Sequence, residues 1–366
     1  MMKRNVLAVV IPALLAAGAA NAAEVYNKDG NKLDLTGKIH AVNYISSNDN
    51  GKENYFGHGD GTYARLGFKG ETKINSDLTG YGRFEYQFDA SHAEDTNGLS
   101  ANGSRTRYAY AGLRFGDLGS LDYGRNMGIA YDGISYTDVL PEMGGDTGYT
   151  DNLTGRNAGV LTYRNKNFFG LVNGWDFGVQ YQAKHEDGTT LRRQTGDGWG
   201  VSSSYTSPIG VGVIASYAAA DRTNNQRLGA TGGQGEKAEA WATGLKYDAN
   251  NIYLATTYGE YHNLSYVGSR VFDKTKVFEA TAQYSFDFGL TPQVSYVAAK
   301  GYDDTDKTAA KTSGYLNKYV SVGANYAFNK NFSALVEYEI NLVKDSNDLR
   351  NGSTDDAVAV GVTYQF

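Results

Sequence analysis

The sequence predicts an all-β protein, a 16-stranded antiparallel transmembrane β-barrel, and three observations carry that expectation. A strand-period alternation recurs along almost the whole chain. In the last segment Val358, Val360, Val362, Tyr364 and Phe366 share one parity, while Ala357, Ala359, Gly361, Thr363 and Gln365 share the other. Side chains alternate faces along a strand, so one face is apolar and aromatic and the other small and polar. The connections between such segments are short and long in turn, the loop asymmetry of a membrane barrel. The composition agrees: 46 glycines and 29 tyrosines but only 4 prolines, with a mean hydropathy of −0.47.

At the N-terminus, Lys3 and Arg4 precede the apolar run Val6 to Ala20 and the small-x-small triplet Ala20-Asn21-Ala22. Residues 1–22 therefore read as a cleaved secretory signal, and residues 23–366 as the barrel domain. An uncleaved anchor helix is the alternative, disfavoured by the shortness of the run and by Pro12. Losing Lys3 and Arg4 moves the formal charge from −6 to −8.

Alternating segments then place strands at 32–44, 61–74, 80–90, 104–115, 119–125, 155–165, 174–184, 197–206, 210–219, 236–248, 251–261, 275–287, 291–300, 317–328, 332–343 and 355–366. Turn chemistry separates alternate pairs, as in Asn75-Ser76-Asp77, Gly116-Asp117-Leu118, Ser207-Pro208-Ile209 and Asn329-Lys330-Asn331. Long polar loops separate the others, the longest at 126–154. Pro141, Pro208 and Pro292 lie in loops, turns or a strand's first positions, where a missing N–H does no harm to a closed ladder.

A soluble β-sandwich is the competing architecture. Strands of this length suit a tilted bilayer crossing better. Tyr258, Tyr284, Phe286, Tyr326 and Phe328 also end apolar faces, where an interfacial aromatic girdle belongs. Outside the N-terminal segment no apolar run is long enough for a membrane helix. The chain has no cysteine, which excludes thiol chemistry and disulfide staples. With 34 basic and 40 acidic residues it lacks the basic excess of a nucleic-acid binder. The five histidines are scattered, without zincin or triad spacing, so an outer-membrane hydrolase has no visible catalytic cluster. No metal or other cofactor is implied.

With this many strands the lumen stays aqueous, which makes the polar parity the informative face. It carries Asp34, Lys38 and His40 on the first strand, Arg65 on the second, Arg105 and Arg107 on the fourth, and Arg156 and Arg164 on the sixth. The same parity puts Tyr108 and Tyr110 toward lipid. A charge near the bilayer midplane on the lipid face would cost about 2–4 kcal/mol, so these groups must point inward. Loop 126–154 has the opposite sign, with Asp132, Asp138, Glu142, Asp146 and Asp151 and no lysine or arginine. Its apolar and aromatic residues, Ile129, Tyr131, Ile134 and Met143 among them, predict that it packs against something. Folded into the lumen, it would face the basic arc across a water-filled neck with a transverse field.

Several contiguous stretches resemble the general diffusion porins of the enterobacterial outer membrane, the osmoporin and matrix porin group, over the whole length after the signal. They are AEVYNKDGNKLDLTGK, TYARLGFKGETKINSDLTGYG, GSLDYGRN, YTDVLPEMGGDT, AEAWATGLKYDANNIYLATTYGE and VAVGVTYQF. The resemblance implies a sixteen-stranded barrel with an inward-folded third external loop, assembled as a homotrimer in the Gram-negative outer membrane, passing small hydrophilic solutes and ions. It places the family's basic wall on Lys38, Arg65, Arg107 and Arg156, with Arg105 beside them, and the acidic pair on Asp138 and Glu142. Asp146, Tyr131 and Glu85 match other constriction-lining positions, and Glu94 matches a residue that latches onto the neighbouring subunit. Terminal Phe366 resembles the signal read by the barrel-assembly machinery. The outer surface is expected to meet lipopolysaccharide, and the loops 220–235, 262–274 and 301–316 to carry any phage or toxin contacts. Lysine in the long loop, the mark of the family's anion-preferring members, is absent, so weak cation preference is expected.

Overall fold

The computed structural model describes residues 22–46, 58–92, 103–144, 150, 152–186, 190–303, 312–344, 349 and 354–366. Residues 1–21, all but the last residue of the predicted signal, lie outside the described residues, as do Glu94 and Asp146. Sixteen barrel strands run β1 Asn31–Ser46, β2 Tyr63–Lys73, β3 Thr79–Asp89, β4 Arg105–Arg114, β5 Ser120–Met127, β6 Arg156–Asn165, β7 Trp175–Gln182 and β8 Gly198–Thr206. They continue as β9 Val211–Asp221, β10 Lys237–Ala249, β11 Ile252–His262, β12 Lys274–Tyr284, β13 Leu290–Asp303, β14 Thr312–Ala327, β15 Phe332–Asn341 and β16 Ala357–Gln365. Each pairs antiparallel with its sequence neighbour, and β16 returns to β1 in the register Lys38↔Gln365 to Ser46↔Ala357. The sheet is closed, so no barrel edge is left to present unpaired backbone to lipid.

Closure is composite. β16 covers only the later part of β1, and a short N-terminal strand, Ala23–Lys28, pairs with Asn31–Leu35 on the same edge. Phe366 completes the join: its backbone exchanges hydrogen bonds with Gly37 at 2.8 and 2.9 Å. The Phe366 ring lies where a side chain on residue 37 would be, its nearest atom 2.2 Å from an ideal Cβ, so any larger residue there would have to push the ring aside.

The packing is inverted relative to a sandwich. Val336 and Val360 are each 48% exposed, whereas Glu337, next to Val336, is fully buried. Apolar residues look outward into what must be hydrocarbon, and polar residues look inward. Near the short turns, Tyr284, Phe286 and Phe288 form one run of ring contacts and Tyr326, Phe328 and Phe332 a second.

The long loop between β5 and β6 lies against the inner wall. Its first turn, the 3₁₀ helix Ile129–Ile134, buries Ile129, Ala130 and Ile134 against β7 to β11. Gly133 donates to Ser216 Oγ at 3.2 Å, and an ideal Cβ there would lie 2.3 Å from that oxygen and 2.7 Å from the Ala242 carbonyl. Overpacking of this kind costs about 1–3 kcal/mol. Gly133→Val is therefore expected to lower the thermal midpoint for loss of sheet circular dichroism while leaving the strand content intact.

Candidate pore constriction

The basic wall is built by register. Lys38, Arg65, Gln87 and Arg105 stand directly opposite one another across β1 to β4, forming one inward-facing row. Arg65 Nε donates to Gln87 Oε1 at 3.0 Å, and its guanidinium lies 4.5 Å from the centre of the Tyr63 ring. Lys38 Nζ approaches the same ring at 5.6 Å. A ring shared by two cations holds like charges side by side through its quadrupole.

Arg107 reaches the wall by a different route. Thr106 pairs with Tyr86 and Tyr108 with Glu85, which leaves Arg107 as the extra residue of a β-bulge. The bulge shifts the parity of β4 and corrects one expectation: Tyr108 and Tyr110 pair with Glu85 and Arg83 and face the lumen, not lipid. The Arg83 guanidinium sits 3.9 Å from the Tyr108 ring centre and that of Arg156 at 5.3 Å. Arg107 Nε donates to Glu85 Oε1 at 2.6 Å, and Arg83 donates to the other Glu85 oxygen at 2.7 Å. Glu85 thus spaces two arginines and is not a free lumenal acid. At the end of the barrel that carries the long loops, Arg105, Arg107, Arg125, Arg156, Arg192 and Arg193 line a cavity of about 640 Å³. Arg192 and Arg193 come from an external loop and were not legible as part of the wall.

The long loop is held by inner-wall polar groups. Arg164 clasps Asp132 with both terminal nitrogens, at 2.7 and 3.1 Å, and Ser202 donates to the same carboxylate. Thr137 donates to buried Glu279 at 2.6 Å. Glu337 accepts from the backbone N–H groups of Glu142 and Met143 at 3.2 and 2.7 Å, and from Gln293 at 2.9 Å. The polar parity of β6, β12 and β15 therefore anchors the loop, a role that alternation alone did not reveal.

The two predicted acids differ in state. Asp138 is exposed and accepts from the Tyr131 hydroxyl, which places Tyr131 as its support. Glu142 is nearly buried: one oxygen meets His40 Nε2 at 2.6 Å, and the other accepts from the Tyr44 hydroxyl. Burial works against its charge, yet the hydrogen bond and charge of His40, the Tyr44 hydroxyl and Lys38 hold its carboxyl below the usual carboxylate range. Because the folded value is depressed, the stabilising contribution is present above the ordinary value of 4.5 and is lost as pH falls through the lower folded value. Single-channel recordings are thus expected to stay quiet at neutral and mildly acidic pH, with loop-driven open-channel noise rising only below the ordinary carboxylate value of 4.5.

A closed barrel with a polar inner face and a loop packed inside it is the geometry of a passive pore. Residues 28–366 match the Gram-negative porin family. The chain belongs to that family. This porin is 53% identical to outer membrane porin F of Escherichia coli K12 and 52% identical to outer membrane protein F of Serratia marcescens, with full coverage of both chains in each case. A structure described as Salmonella typhi OmpF in complex with daunomycin superposes with a TM-score of 0.83 at 44% identity, covering 94% of this chain and all of that one. An anion-selective porin from Comamonas acidovorans, 15% identical, shares the fold at a TM-score of 0.67. The porin is an outer-membrane, non-specific diffusion channel for small hydrophilic solutes.

Proposed function

We propose that the constriction lies between the row Lys38, Arg65, Arg105, Arg107 and Arg156 and the loop acids Asp138, Glu142 and Asp146, with Glu85 and Tyr131 as supports. The observation that carries this reading is the pairing register that aligns Lys38, Arg65 and Arg105 on one inner row. Solutes are sorted by size and by how their dipoles align in the transverse field, without tight binding. Cation preference is weak, because the lysine-free acidic loop is offset by the arginine-lined cavity at the mouth. Each barrel conducts separately within a homotrimer, with Glu94 latching a neighbouring subunit. Residues 1–22 are removed on export, Phe366 is read by the barrel-assembly machinery, and the outer surface sits in lipopolysaccharide, with the exposed loops open to phage or toxin. Planar-bilayer recording tests the core of this proposal. Three equal conductance steps and a small cation-selective reversal potential in a salt gradient are expected; an anion-selective potential overturns the assignment of sign.

A further inference from the structure

We infer that His40 is a specificity-determining residue of the pore: its imidazolium is the counter-charge of Glu142 and keeps that loop acid from acting on a passing ion. The inference rests on the constriction reading above and assigns one of its acids a partner. The pairing register sets His40 between Tyr63 of β2 and Thr363 of β16, where the barrel closes. Its side chain is only 1% exposed. Nδ1 lies 2.7 Å from Thr363 Oγ1, and Nε2 lies 2.6 Å from Glu142 Oε1. The closing strand therefore fixes the ring, and the ring meets the tip of the inward loop.

The charge on the ring follows from what surrounds the carboxylate. A carboxylate only accepts, so the nitrogen facing it carries a proton. A charge taken out of water also needs a partner of opposite sign. Among the described residues, His40 is the one basic group within ion-pair distance of Glu142, and a separation of 2.6 Å belongs to a charge-assisted contact. The Tyr44 hydroxyl serves the other oxygen but brings no charge. Lys38 and Arg65 are drawn to the Tyr63 ring, at 5.6 and 4.5 Å from its centre, and the His40 ring lies 5.1 Å from the same centre. Glu337 of β15 is turned to the backbone N–H groups of Glu142 and Met143. Asp287 and Lys330 line the cavity of about 250 Å³ that His40 and Lys38 also line. Glu142 is still the one carboxylate within ion-pair distance of the imidazole among the described residues.

Such a pair responds unequally to the loss of its two members. Imidazole ordinarily titrates at about 6.5 and a carboxyl at about 4.3, so at pH 7 the imidazole is the one that gives way when its partner is removed. In E142Q the ring faces an amide and sheds its proton, since a buried charge without a partner is neutralised. Two opposite charges then vanish together, and the field felt by an ion changes little. In H40Q the new amide, the Tyr44 hydroxyl and Lys38 still support the carboxylate, which stays charged. Its charge is now uncompensated.

The test is the reversal potential of the purified porin in a potassium chloride gradient at pH 7, for wild type, H40Q, E142Q and H40Q/E142Q. H40Q is expected to raise the cation-to-anion permeability ratio about two- to fivefold, the effect of one partly screened unit charge near the ion path. E142Q should move the ratio little in wild type, yet lower it in the H40Q background by about as much as H40Q raised it. A purely structural role of His40 does not produce that non-additivity. Discrete conductance steps in each variant show that the barrel forms, and H40N is a second neutral variant with the same expectations. A wild-type ratio in H40Q overturns the inference, as does an equal effect of E142Q in both backgrounds. D138N keeps the two readings apart. If D138N lowers the ratio while H40Q leaves it unchanged, the constriction stands and the role of His40 falls; if neither variant moves it, both fall.

Discussion

Replacing Glu337 with alanine is expected to release the tip of the inward loop and raise single-channel conductance. Glu337 is fully buried on β15 and accepts from the backbone N–H groups of Glu142 and Met143 while Gln293 fixes its orientation. Removing the carboxylate leaves two loop donors and one amide without their acceptor, each costing about 1–3 kcal/mol if it stays dry. The loop can avoid that cost only by moving so that water reaches the donors, and movement away from β15 displaces Glu142 from His40 and Tyr44 as well. E337A should therefore show larger, noisier conductance steps and faster uptake of larger sugars in liposome swelling. E337Q keeps one acceptor oxygen and should fall between wild type and alanine. Wild-type conductance and sugar exclusion in E337A would show that the anchor lies elsewhere, with Arg164–Asp132 the next pair to break.

The barrel itself was legible because membrane strands obey a strict rule over a long distance. Each segment of alternating residues in the sequence has its strand, usually within two residues, since a one-residue slip would move every apolar side chain to the wrong face. Parity failed where the backbone broke its own period. At Arg107 a single extra residue put Tyr108 on the same side as Arg107, and nothing in RTRYAYAG marks a bulge without knowing that Glu85 must receive Arg107. The N-terminal strand Ala23–Lys28 also escaped notice, because its partner is the short stretch of β1 that β16 leaves uncovered.

For the proposed constriction, residue types and parity give charge sign but not charge state. The acidic loop and the basic arc can be read from residue types and parity. Whether an acid is available to a passing ion depends on neighbours distant in sequence: His40 and Tyr44 reach Glu142 across about a hundred positions, and Arg164 captures Asp132 from β6. Those pairings arise from barrel closure, which no local pattern encodes.

That difference in state makes the two acids unequal, and charge removal should expose it. Asp138→Asn removes an exposed negative charge whose one described partner is the Tyr131 hydroxyl. A unit charge acting on an ion about 4 Å away in water is worth about 1 kcal/mol, less with salt screening, so the cation-to-anion permeability ratio should fall by about two- to fivefold. Glu142→Gln removes a charge held by His40 Nε2 and the Tyr44 hydroxyl and mostly withdrawn from the aqueous path. Its selectivity change should be the smaller of the two, and its main effect mechanical, since His40 and Tyr44 then face an amide in place of a carboxylate. Reversal potentials for D138N, E142Q and the double variant in a potassium chloride gradient separate these roles. The double variant should resemble D138N in selectivity and E142Q in open-channel noise. A double variant with unchanged cation preference would remove the loop acids from the constriction, and equal shifts from the two single variants would mean that Glu142 is as open to the lumen as Asp138.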